Sequence, residues 1–306
     1  MTADAPIEFA AVAEPAASGE FLSRQIETAD GPRNYKVYLP SSYDKSRPAP
    51  LIVVLHGCTQ DPDDISRGTR FNAVAEEKGF VVAYPQQEQK HNGLKCWNWF
   101  DSAHQRRDKG EPALVAAITE KVMSDYSIDA RRVFIAGVSA GGAMALITAY
   151  AYPELFAAAG IHSGIAYGSA TSIANALTAM HSGGDPAALN DAVAKEMGSA
   201  RHFPAIVFQG KADKSVNFVN ADQIVSQLSA LFVPPLTKFV ESAGEAGGYH
   251  YTRLIRGNEK QYVEEWLVDE LGHAWSGGSK DGTYTDPNGP DATREMVRFF
   301  LEHPRS

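Results

Sequence analysis

Cysteine is scarce: Cys58 and Cys96 are the only two in 306 residues, so at most one disulfide is available to report on the compartment. No run of 18 apolar residues occurs, which removes a membrane-spanning helix from consideration. Positive charge is short as well, with 28 basic against 37 acidic side chains and a net charge of −9 at pH 7. The longest charge-rich patch, Gln105-Arg106-Arg107-Asp108-Lys109, mixes both signs, so neither nucleic acid nor an anionic membrane is an expected partner. The His, Asp and Glu residues show no metal-ligand spacing such as H-E-x-x-H, and neither a metal nor an organic cofactor is expected. Internal repeats, low-complexity tracts and an interdomain linker are also missing. Residues 1–20 lack the basic region and uninterrupted apolar core of a secretory signal, and their Ala/Pro/Glu composition predicts a flexible lead-in. That leaves a cytosolic protein or one whose signal has been removed.

What is present is an apolar content of 44%, ample for one large core, and a regular alternation of strand-like and helix-like stretches. Residues 21–28 and 33–39 each alternate polar and apolar side chains around Asp30-Gly31-Pro32, which predicts a hairpin at a sheet edge. Leu51-Ile52-Val53-Val54-Leu55 is continuously apolar, the pattern of a strand buried on both faces. Residues 80–85, 133–136, 157–161 and 205–210 read as further short buried strands, and residues 249–255 with 261–268 as a hairpin that includes the last strand. Helices are expected over residues 69–78, 112–126, 143–150, 220–231 and 292–301. Residues 170–202, rich in Ala, Ser and Gly with two helical stretches, break the alternation and read as a lid-like insertion covering part of a site. The whole predicts a single α/β domain over residues 21–306, with a mostly parallel sheet covered by helices on both faces.

The stretch from Arg132 to Met144 concentrates the chemistry. A strand-like run stops at Gly137-Val138-Ser139-Ala140-Gly141, and a helix follows. That is the context a G-x-S-x-G match requires, because the tight turn strains the serine backbone and lifts its Oγ above the sheet edge. Ser139 is therefore the candidate nucleophile. Functional groups of a parallel sheet collect beyond the carboxyl ends of its strands. Among nine histidines, His273 lies just past the last strand in Gly272-His273-Ala274-Trp275-Ser276-Gly277-Gly278, between small residues, and is the candidate base. His56 reads as a structural partner of its loop, and His162 as a pocket-lining residue. For the acid, Asp213 follows a buried strand directly, whereas Asp269 would have to fold back on His273. The oxyanion of an attacked carbonyl needs two N–H donors, for which the backbone groups of Ala140 and Cys58 are placed.

Taken together, LHGCTQ (55–60), CWNWF (96–100), GVSAGGAM (137–144), the Asp213 turn and GHAWSGG (272–278) resemble the catalytic domain of the polyhydroxybutyrate depolymerase family of esterases. That family is similar to the feruloyl and acetyl xylan esterases. The resemblance runs from about Phe21 to the C-terminus and implies an α/β-hydrolase fold. It also implies hydrolysis of carboxylic esters through an acyl-enzyme, with Ser139, Asp213 and His273 as triad and Cys58 and Ala140 as oxyanion donors. The expected substrate is a polyhydroxybutyrate-type polyester, its oligomers or a smaller ester; without a linker or polymer-binding domain, soluble oligomers and small esters come first. A carbohydrate esterase acting on feruloyl or acetyl groups uses the same triad, and a non-catalytic hydrolase-like binding protein is the reading from outside enzymes. In such a sheet Cys58 and Cys96 follow neighbouring strands, so either a disulfide or two buried thiols fits. The disulfide and the family favour a secreted or periplasmic protein, with a cytoplasmic one as alternative. Trp97, Trp99, Phe100 and Trp275 are candidates for an apolar wall against the substrate, Trp275 foremost, although buried aromatics usually serve the core. Such a wall would suit aromatic polyesters too. The oligomeric state is not legible.

Overall fold

A computed structural model of the chain describes residues 18–29, 31–197, 202–232, 235–236, 239–257 and 262–305. Most of the expected N-terminal lead-in therefore lies outside the described residues, and Glu20 already belongs to the first strand. Ten strands form one sheet: β1 (Glu20–Thr28), β2 (Gly31–Leu39), β3 (Ala49–Leu55), β4 (Val81–Pro85), β5 (Ile128–Val138), β6 (Ala158–His162), β7 (Ala205–Gly210), β8 (Phe239–Ala246), β9 (Tyr249–Gly257) and β10 (Tyr262–Val268). They are ordered β1-β2-β4-β3-β5-β6-β7-β10-β9-β8. The run from β4 to β10 is parallel throughout, and both flanks are antiparallel. A parallel strand must be reached by a crossover, which puts helices over both faces of the sheet.

Strand β3 shows how the sequence serves both faces. Leu51, Val53 and Leu55 join one core cluster, and Ile52 and Val54 the other, as the two-residue period of a strand demands. Against the first face pack α3 (Gly110–Asp125), α4 (Ala140–Ala151), α6 (Pro186–Met197) and α7 (Val219–Ala230), with α5 (Ile173–Ser182) beside α7; against the second pack α1 (Pro62–Thr69), α2 (Phe71–Lys78) and α8 (Ala292–Glu302). The two helical stretches expected in 170–202 are α5 and α6, with residues 198–201 outside the described residues. Two segments β11 (Trp275–Ser276) and β12 (Thr285–Asp286) pair in parallel beyond the main sheet.

Two expectations need correction. The helix expected over 69–78 starts two residues later, at Phe71, and an unexpected α1 precedes it, because Arg70 adopts a left-handed backbone with φ 61° that closes α1 and opens α2. Its guanidinium donates to Gly277 O at 2.7 Å and to Asp291 Oδ2 at 2.8 Å, tying this kink to the start of α8. Strand β8 was not anticipated at all. From Val240 to Ala246 it is largely exposed and carries little apolar alternation, and it forms because Gly247 and Gly248, with φ 55° and 80°, turn the chain back onto β9.

Candidate active site

Strand β5 delivers Ser139 to the carboxyl edge of the sheet, and α4 leaves from it at once. The serine has φ 55° and ψ −122°, a backbone conformation that L residues rarely adopt. Its N–H donates to His162 O at 2.9 Å, which holds the turn against β6. The flanking glycines are required by space: a Cβ on Gly137 would sit 2.3 Å from Gly141 O, and one on Gly141 would sit 2.3 Å from Leu55 O. Any larger residue pushes the turn off β3.

Asp213 follows β7 and His273 follows β10, so the two meet Ser139 only through the sheet order. His273 Nε2 lies 3.0 Å from Ser139 Oγ, and Nδ1 lies 2.7 Å from Asp213 Oδ2. The carboxylate is itself held: Oδ1 accepts from the N–H groups of Ser215 and Val216 at 2.8 and 2.9 Å, and Oδ2 accepts from Gln209 Nε2 at 3.2 Å. Burial alone would raise the Asp213 carboxyl, but the hydrogen bond and charge of His273, with the two backbone donors, outweigh it and hold the group below the ordinary carboxylate range. An ionised Asp213 keeps the imidazole in one orientation, with Nδ1 as donor and Nε2 free to accept from Ser139. The rival Asp269 instead pairs with Lys211 at 2.7 Å on the surface.

The loop after β3 is fixed from several sides. His56 Nε2 accepts from Gln87 N–H at 3.0 Å, so Nδ1 carries the proton and donates to Gly57 O at 2.7 Å. Burial lowers the His56 pKa to about 4 and keeps the ring neutral, as this pairing requires. Gly57 N–H donates to Gln60 Oε1 at 2.9 Å, and Gln60 Nε2 donates in turn to Thr283 O at 2.9 Å. A disulfide joins Cys58 to Cys96, and the Trp97 indole N–H donates to His56 O at 3.1 Å. Beneath them the buried Glu111 accepts from Asn98 N–H and Nδ2, each at 2.6 Å, and from Gln87 Nε2. Among the described residues, the backbone N–H groups of Cys58 and Ala140 have no hydrogen-bond partner, which leaves both open to an incoming oxygen.

These groups line a pocket of about 200 Å³ that includes Ser139, His273, Cys58, Ser215, Met180 and Tyr284. None of the five residues expected to contact substrate, Trp97, Trp99, Phe100, His162 and Trp275, lines it. Trp275 is 1% exposed, stacks on His162 with ring centroids 4.9 Å apart, and donates its indole N–H to Thr293 Oγ1 at 3.0 Å. Trp97 is buried with its indole N–H donated to His56 O, and Trp99 is buried edge-on against Phe100. His162 is fully buried between Phe208 and Trp275, and its Nε2 accepts from Ser276 N–H at 3.1 Å. Burial, followed by the charge on His273, lowers its pKa to about 3. Met180 and Tyr284 take the places intended for these five. Met180 belongs to the insertion expected to cover the site, whereas nothing in Thr283-Tyr284-Thr285 marked the tyrosine.

A family model described as "Esterase PHB depolymerase" matches residues 33–248, more than half of the chain. Poly(3-hydroxyalkanoate) depolymerase C of Paucimonas lemoignei is 32% identical over 244 residues, covering 78% of this chain and 56% of that protein. Feruloyl esterase B of Thermothelomyces thermophilus is 26% identical over 265 residues, covering 82% and 88%. The chain thus spans about half the length of the depolymerase and nearly all of this feruloyl esterase. In fold it is similar to an acetyl xylan esterase from Aspergillus awamori, with a TM-score of 0.71 at 20% identity over 92% of this chain and 99% of that one.

Proposed function

The chain belongs to the PHB depolymerase family of esterases, and from that premise we propose that it hydrolyses carboxylic esters through an acyl-enzyme on Ser139. The observation that carries the proposal is the paired geometry of His273, 3.0 Å from Ser139 Oγ on one side and 2.7 Å from Asp213 on the other. His273 Nε2 takes the serine proton as Oγ attacks the ester carbonyl. The oxyanion forms where the N–H groups of Cys58 and Ala140 point, and each such donor supplies about 3–4 kcal/mol of transition-state stabilisation. The imidazolium, stabilised by Asp213, protonates the leaving alcohol. Water then enters, gives its proton to His273 and attacks the acyl-serine, and the acid leaves with Ser139 restored.

The substrate proposed is a polyhydroxybutyrate-type polyester or its oligomers, which the similarity to the Paucimonas depolymerase supports. Feruloyl or acetyl esters of polysaccharide are the second reading, favoured by the relatives named for those activities. With the tryptophans buried, their original support for aromatic polyesters is gone. The Cys58–Cys96 disulfide supports an oxidising compartment, secreted or periplasmic. Among the described residues no helix is long and apolar enough to cross a membrane.

The test is hydrolysis of a matched panel by wild type beside Ser139→Ala: hydroxybutyrate oligomers, methyl ferulate, acetylated xylan and p-nitrophenyl esters. Preference for the oligomers, abolished in the variant, is expected. Preference for ferulate or acetylated xylan moves the substrate to carbohydrate esters. Full activity in Ser139→Ala, or no labelling of Ser139 by a fluorophosphonate, overturns the mechanism.

A further inference from the structure

Helix α5 presents an apolar flank to solvent. Ile173 is 76% and Leu177 67% exposed, the two most exposed large apolar side chains on helices among the described residues. Single exposed aliphatics are ordinary on protein surfaces. These two are not isolated. Ala176 and Ala179 bury the inner face of α5, and at 3.6 residues per turn Met180, Ile173 and Leu177 lie within about 60° of arc beside that face. Met180 lines the pocket that holds Ser139 and His273. The flank therefore starts inside the pocket and runs outward for about 10 Å, the rise of seven helical residues.

Two further observations bear on what lies along it. Helix α5 has no Asp, Glu, Lys or Arg in ten residues, although the chain as a whole carries a net charge of −9. Its pocket end is also anchored, since Met180 O accepts from Asn217 N–H and from Asn220 Nδ2, both at 2.9 Å. That anchor sets the half-exposed Phe218, the residue after Asn217, close to the same end.

From these placements we infer that the Ile173–Leu177–Met180 flank of α5 binds the uncharged aliphatic chain of an extended ester whose carbonyl sits at Ser139. The inference rests on the esterase reading above and deepens it. Aliphatic side chains reward an apolar chain by removing it from water, and offer no donors or acceptors for sugar hydroxyls. The flank therefore discriminates by chain length, and favours oligoesters and long-chain esters over acetylated polysaccharide.

The experiment compares wild type, the double variant Ile173→Ser/Leu177→Ser, and Val240→Ser, an equally exposed apolar residue on β8. The readout is the ratio of kcat/KM for p-nitrophenyl octanoate to that for p-nitrophenyl acetate, with thermal melting to show that each variant is folded. In the double variant the ratio falls by about tenfold or more, through KM for the octanoate, the order expected when two aliphatic side chains lose contact with a chain. Val240→Ser keeps the wild-type ratio. A ratio within about twofold of wild type in the double variant, or a fall of the same size in Val240→Ser, overturns the flank as a binding track and leaves the esterase reading intact. Wild type that cleaves acetate but not octanoate does the same. Wild type that cleaves neither ester overturns the esterase reading, and the track with it.

Discussion

Replacing Cys58 and Cys96 together by alanine separates stability from chemistry at this site. The disulfide closes a loop across 38 residues of sequence. The loop-entropy relation, ΔS ≈ −2.1 − 1.5R ln n, then gives about −13 cal/mol/K, or about 4 kcal/mol at 25 °C. That is a large share of the ~5–15 kcal/mol that holds a domain folded. Other ties between the two loops survive the substitution: Thr59 N–H still donates to Leu94 O, and the Trp97 indole to His56 O at 3.1 Å. Alanine at position 58 also keeps the backbone N–H. The folded variant should therefore retain its oxyanion donor nearly in place. Urea unfolding followed by tryptophan fluorescence is expected to show a loss of about 4 kcal/mol, and kcat on a soluble ester, measured where both proteins are folded, a fall well short of the ~10²–10³ that losing an oxyanion donor costs. A loss below about 1 kcal/mol refutes the loop-entropy reasoning. A ~10³-fold fall in kcat at full folding refutes the claim that the hydrogen bonds alone position residue 58.

Three further outcomes follow from the same geometry. Asp213→Asn should lower kcat by about 10⁴-fold with KM little changed, since the amide reverses the donor pattern facing His273 Nδ1; steady-state kinetics that show less than a tenfold loss would remove Asp213 from the triad. Trp275→Ala should cost about 3–5 kcal/mol in denaturant unfolding, the loss expected for a buried aromatic, whereas a substrate-selective rise in KM at unchanged stability would return the side chain to the pocket. The third outcome concerns acid. His56 and His162, lowered from 6.5 to about 4 and about 3, are neutral in the fold, so as pH falls below 6.5 the unfolded chain takes up protons first and stability drops. Between pH 7 and 5.5 that costs on the order of 1 kcal/mol for each ring. Glu265, raised from 4.5 to about 7 by burial first and by Asp222 second, has the opposite sign and returns a comparable amount over the same interval. Glu265→Gln should thus steepen acid destabilisation, read as the urea midpoint against pH; a slope equal to wild type would contradict this assignment.

Much of the fold was legible because buried strands leave a plain signal. Leu51 to Leu55 had to be central, the hairpin ending at Leu39 had to lie at an edge, and the sheet puts them there. The strand-turn-helix around Ser139 was legible for a similar reason, since a turn without room for two Cβ atoms has to spell Gly at both places. What the pattern rules could not reach were elements defined by contacts far along the chain. Strand β8 exists through a two-glycine turn and a neighbour, with little apolar alternation of its own. The break at Arg70 was hidden because a left-handed arginine looks like any helical arginine, and its reason, Gly277 and Asp291, lies some two hundred residues away.

The misplaced aromatics have a sharper cause. Trp275 is two residues from His273, and in an extended segment residues at that spacing share a face. The segment is not extended there. Ala274 N–H donates to Gly272 O at 3.0 Å, a three-residue turn that aims His273 at Ser139 and hands Trp275 to β11, facing the core. In the core it stacks on His162, and His162 accepts from Ser276 N–H, so the two side chains read as substrate contacts grip the chain immediately after His273 from inside. The loop that carries His273 is thus held by an indole and by a neutral imidazole at the end of β6. A residue beside a catalytic histidine can matter to catalysis by fixing the loop's position, and sequence proximity alone does not separate that role from contact with substrate.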